Sequence, residues 1–117
     1  MQVPLQIRFK NLEPSAAVEA NVRKHVERLE RYFNEIISCR VTLDAPHKHH
    51  QQGNIFQVTV DVRLPGGEVV ASRRPDDEHA HEDAYVAIRD AFNAIRRQLK
   101  HRLDEKRGRV KSRKPGP

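Results

Sequence analysis

A chain of 117 residues fits one domain with one modest core, and four Phe, two Tyr and no Trp make that core aliphatic. The single cysteine, Cys39, excludes an internal disulfide and any thiolate metal cage built from one chain. No stretch approaches the ~20 apolar residues of a membrane span, and "MQVPLQIRFK" alternates where a secretory signal would be continuously apolar.

The formal charge of +6 is unevenly placed. Sixteen acidic and sixteen basic residues cancel through Glu105, so the excess is the six basic side chains of "KRGRVKSRKPGP". The expectation is a cytoplasmic protein with a folded domain over 1–107 and a basic, disordered arm over 108–117, of the kind that meets polyanions.

In chain order, Val3, Leu5, Ile7 and Phe9 alternate with polar neighbours, which predicts a half-buried strand, and Pro4 places it at an edge or an early bend. Ser15 is the expected cap of a helix over about 15–34, with Val18, Val22, Val26, Leu29 and Phe33 recurring at three and four. Cys39, Val41, Leu43 and Ala45 mark the inward face of a second strand. Phe56, Val58, Val60, Val62 and Leu64 mark a third, and "PGG" turns the chain into a fourth, "EVVASR". Tyr85, Ile88, Phe92, Ile95, Leu99 and Leu103 give a second amphipathic helix, which Gly108 is expected to end. One-sided strands and one-sided helices in this order predict an α+β fold, β-α-β-β-β-α, with a four-stranded sheet and both helices packed on one face.

Two histidine-rich stretches invite a metal reading. "HKHH", at 47–50, lies in a loop with Pro46, Gly53 and Asn54, and Lys48 sits among the candidate ligands, so a wet loop without metal is expected. "DDEHAHED" gathers Asp76, Asp77, Glu78, Glu82 and Asp83 just before the second helix, where the macrodipole favours negative charge, so helix capping rather than a cation site is expected of this cluster. Cys39 falls on a core-facing position, and no phosphate loop or nucleophile elbow appears, so no enzyme, cofactor or small-molecule substrate is expected.

The helices carry the stronger signal. Arg23, Lys24, Arg28 and Arg31 lie off the first apolar seam. Arg89, Arg96, Arg97, Lys100 and Arg102 lie off the second and continue into Lys106 and Arg107. Glu27 and Glu30 neutralise part of the first set, whereas 91–103 contain no acid, an asymmetry that points to phosphate. The outward sheet positions Gln57, Thr59, Asp61, Arg63, Arg40, Thr42 and Asp44 hold no aromatic ring, so the sheet is a poor platform for bases. Contact is expected through the helices and arm, reading backbone shape more than sequence.

"RLERYFNEI", "PGGEVVAS", "DAYVAIRDAF" and "RRQLKHR", with the "MQ" start of the first strand, together resemble the short-form ribosome hibernation-promoting factors and ribosome-associated translation inhibitors, over about residues 1–107. The resemblance implies this same fold, seated on rRNA in the decoding cleft of the small ribosomal subunit. There it would block messenger and transfer RNA and so inhibit translation in idle cells, without the dimerisation domain of long forms. It implies binding by basic helix residues, carried over most directly to Arg28, Arg97 and Arg102. The charge map adds Arg23, Lys24, Arg31, Arg89, Arg96, Lys100, Lys106 and Arg107. His25 and Ala94 stand where that family often has lysine, and the body here is less basic. A monomer off the ribosome is expected, and the alternative is a general RNA- or DNA-binding module, or a regulatory adaptor, using the same helices.

Overall fold

The computed structural model describes residues 3–45, 48–49, 53–54, 56–73 and 84–111, without the side chains of 48–49, 53–54, 73 and 106–111. The elements are β1 (Leu5–Lys10), α1 (Ala16–Tyr32), β2 (Ser38–Asp44), β3 (Lys48–His49), β4 (Gly53–Asn54), β5 (Gln57–Leu64), β6 (Gly67–Arg73) and α2 (Ala84–Lys111). Four strands form one sheet in the order β1-β2-β5-β6, and β3 and β4 pair as a separate ribbon. The main order is therefore the expected β-α-β-β-β-α, with the ribbon set into the histidine loop.

Local chemistry fixes the boundaries. The Ser15 hydroxyl accepts from the Val18 amide at 3.2 Å, satisfying one donor that α1 cannot pair internally. α1 then carries the chain across the sheet, so β2 returns parallel to β1, with Leu5 opposite Cys39 and Phe9 opposite Leu43. β2 and β5 are antiparallel, as are β5 and β6. The β5–β6 turn holds Pro65 and then Gly66 at φ +86°, a left-handed value that a side chain would make costly.

Alternation aims one set of side chains at the helices. Val41, Leu43, Val58, Val60 and Val62 are completely or almost completely buried under Val22, Val26 and Leu29 of α1 and Ile88, Phe92, Ile95 and Leu99 of α2. Ala87, Ala91 and Ala94, at steps of four and three, are also buried and let α2 approach the β5–β6 half closely. Burying one such Ile or Phe contributes ~1.5–3 kcal/mol, so this aliphatic layer is the main stabilising element.

Two details differ from the sequence expectation. Tyr85 is 43% exposed, because the three alanines rotate the buried stripe of α2 toward β6 and leave Tyr85 on its flank. Gly108 does not stop α2, which runs on to Lys111. Within a helix a single glycine costs only ~1 kcal/mol and breaks nothing unless the chain turns into a left-handed cap. Residues 112–117, His47, His50 and the "DDEHAHED" stretch lie outside the described residues, and with them the expected capping by that acidic cluster.

Candidate nucleic-acid interface

His25 of α1 stacks on Phe92 of α2, with ring centroids 5.0 Å apart and planes 13° from parallel. About two turns further along both helices, Tyr32 lines one groove with Leu99 and Leu103. The helices therefore lie side by side with the same polarity. Everything else about the interface follows from which flank of each helix a cation occupies.

Lys24 and Arg28 bracket His25 on α1. Both are exposed, and both are felt by His25. Burial first, and then the Arg28 and Lys24 charges, hold the imidazole below the ordinary histidine range. On α2, Arg89, Arg96 and Lys100 recur at seven and four, forming an exposed stripe on the flank that also carries Phe92. Helical spacing, and for Lys24 and Arg28 their effect on His25, put these five cations on the flanks of α1 and α2 that meet at the His25–Phe92 stack. Among the described residues their acidic contact is the adjacent pair Arg89–Asp90 at 3.3 Å, exposed enough to add little to stability.

The remaining sequence-selected residues point elsewhere. Arg31 lies toward β1 and shares a groove there with Glu27 and Glu30. Arg23 is exposed on α1. Arg97 and Arg102 line an open groove of about 670 Å³ against β6, with Gln98, His101, Glu68 and Glu105, and Arg102 also lines the groove of Tyr32, Leu99 and Leu103. Arg97 is exposed, but Arg102 is half-buried, and a Cβ built on Gly67 would stand 3.3 Å from its guanidinium. Lys106 and Arg107 continue the helix, and their side chains are not described. What looks like one basic layer in the sequence is thus divided on α2, with Arg89, Arg96 and Lys100 on the Phe92 flank, Arg97 against β6, and Arg102 lining grooves on both sides.

Sequence reasoning missed three side chains here. Gln98 donates to the Val70 carbonyl at 3.1 Å and so ties α2 to β6. His25 covers Phe92, although its place three residues after Val22 on a seam of threes and fours was a readable signal. Tyr32, one residue before the seam position Phe33, is 69% exposed.

The outer sheet face is polar, as its alternation requires. Arg40 donates to Gln6 at 3.3 Å and the hydroxyls of Thr59 and Ser72 meet at 3.0 Å, while Val70 is its one strongly exposed apolar residue among those described. Cys39 is buried in the core, where burial first, and then the Asp61 and Glu30 charges, push its thiol up to about 12. No helix among the described residues is long and apolar enough to cross a membrane.

Comparison with known proteins bears on the fold and the family. The chain is 32% identical over 96 residues to a ribosome hibernation promotion factor of Deinococcus radiodurans, covering 81% of this chain and 46% of that protein. It is 30% identical over 103 residues to a ribosome hibernation promoting factor of Acinetobacter guillouiae, covering 84% and 86% respectively. The chain thus spans about half the length of the first of these relatives and most of the second. Among solved structures, the N-terminal domain of Thermus thermophilus Protein Y superposes with a TM-score of 0.63 at 26% identity, over 86% of this chain and 98% of that one. A ribosomal subunit interface protein from Coxiella burnetii has the same fold, with a TM-score of 0.69 at 17% identity over 87% and 99%. The family described as Sigma 54 modulation protein / S30EA ribosomal protein matches residues 5–107, and the chain belongs to it.

Proposed function

We propose that this protein is a ribosome hibernation factor that binds small-subunit rRNA in the decoding cleft, excludes messenger and transfer RNA, and so inhibits translation in idle or stressed cells. It acts in the cytoplasm as a binding protein, by occupancy and without chemistry. The observation that carries the reading is the exposed set Lys24 and Arg28 on α1 and Arg89, Arg96 and Lys100 on α2, flanking the His25–Phe92 stack, with Arg89–Asp90 as their acidic contact among the described residues. Five exposed cations on two parallel helices supply the charge that a phosphate backbone would meet, held by the fold rather than by mobile loops. The names of the Deinococcus and Acinetobacter relatives supply the ribosome as the bearer of that backbone.

Arg97 and Arg102 belong to the same reading as a second contact line, on the β6 side of α2. A body with phosphate contacts on both flanks of one helix suits a cleft, which has two walls, better than an open duplex, which offers one surface.

The test is sedimentation with purified small subunits, followed by competition with initiator transfer RNA. Saturable binding at one copy per subunit, displaced by that transfer RNA, is expected. Equal binding to any duplex of the same length, with no competition, refutes the decoding-cleft reading and leaves a general nucleic-acid module.

A further inference from the structure

Tyr32 is the most exposed large apolar side chain among the described residues, at 69%. A single exposed aromatic is ordinary on a protein surface, and its neighbours decide whether it means anything. Tyr32 is the last residue of α1. Arg28 stands one turn before it, and Arg31 is adjacent; both are exposed. Tyr32 also borders a small groove with Phe33, Leu64, Leu99, Leu103 and Arg102. The floor of that groove is apolar, and one wall is Arg102, whose guanidinium also lies close to Gly67 at the start of β6. Asn34 and Glu35 complete the rim with side-chain oxygens that can accept from a base edge.

A ring left in water, an apolar floor beside it and guanidinium groups around it are the parts of a site for one unpaired nucleobase. The ring stacks the base, and the arginines meet its phosphates. A protein partner would need a broader apolar area than one tyrosine offers, and the surrounding positive charge favours a polyanion. We propose that Tyr32, with Arg28 and Arg102, captures a single splayed-out RNA base at the end of the interhelical groove. This rests on the rRNA-binding reading above and adds to it a contact with the face of a base, where the helix cations contact only backbone.

The site predicts a specific order among substitutions. Tyr32→Phe keeps the stacking ring and should bind small subunits within about twofold of wild type. Tyr32→Ala should weaken binding by about 5- to 150-fold, the worth of one base–aromatic stack. Because the ring is largely in solvent, neither change should alter the thermal melt. The chain has no tryptophan, so Tyr32→Trp introduces a sole indole reporter, whose fluorescence should be quenched on binding to small subunits and by an unstructured RNA oligonucleotide. If wild type binds subunits and Tyr32→Ala binds equally well, the base site is wrong and the hibernation reading stands. Should wild type fail to bind subunits at all, both fall. Quenching by subunits without quenching by naked RNA would identify a ribosomal protein as the neighbour and overturn the base assignment.

Discussion

Replacing Arg89, Arg96 and Lys100 together with glutamine strips one wall of the interhelical groove while keeping helix-forming side chains of similar length. All three are exposed, so the loss of stability should stay within about 0.5 kcal/mol per site. Each phosphate contact contributes roughly 0.9 unit to the slope of log affinity against log salt. The five cations would then contribute a roughly 500-fold weakening between about 50 and 200 mM salt, and the two left in the triple variant only a roughly 12-fold one, each multiplied by the unchanged share of Arg97 and Arg102. Arg89 already engages Asp90 at 3.3 Å, so its share is smaller, and the slope should drop by between two and three units. Filter binding or sedimentation with small subunits across that salt range reads the slope directly. A folded triple variant with an unaltered slope would show that phosphate does not enter this groove. The paired variant Arg97→Gln, Arg102→Gln should lower the slope separately by up to two units.

Phe92→Ala should cost ~3–5 kcal/mol, because it empties the centre of the core and removes the ring on which His25 stacks; a shifted urea midpoint measures it. His25 is held below the ordinary histidine range when folded, so the unfolded chain binds more protons between the two values. Its stabilising contribution is therefore complete above the unfolded pKa of about 6.5 and is lost as the pH falls toward the lowered folded value. His25→Phe, which preserves the stack without a proton site, should remove that part of the acid slope, and identical melting-versus-pH curves would contradict it. The Cys39 thiol, pushed up to about 12 and buried, should resist a thiol reagent in the native protein and react at once in denaturant. Rapid native labelling would mean that the sheet opens locally far more often than its packing implies.

The fold was legible because its signals are local and repeated. The steps of Val22, Val26 and Leu29 and the alternation of Val58, Val60 and Val62 each specify a face, and faces of one polarity assemble in few ways. The interface was legible only as a set of charges. Periodicity distinguishes in from out on a helix, but it does not say which flank meets the neighbouring helix and which meets the sheet edge. That choice was made by the pairing of His25 with Phe92 and by the small residues Ala87, Ala91 and Ala94, whose role is visible only once the partner elements are placed. Arg96 and Arg97, adjacent in sequence, consequently serve different grooves.

The bond from Gln98 to the Val70 carbonyl reaches beyond the tie between one helix and one strand. A four-stranded open sheet ends in two strands whose outward backbone groups invite addition of a further strand, and at high protein concentration such an edge seeds aggregates. Here the middle acceptor of β6 is already occupied by a side chain from the helix above it, and Glu68 places a charge two residues away. At the other margin, Pro4 precedes β1, while Arg8 and Lys10 project from it. Each border of the sheet is therefore blunted by means intrinsic to the domain, which opposes the addition of a strand from another chain at either edge.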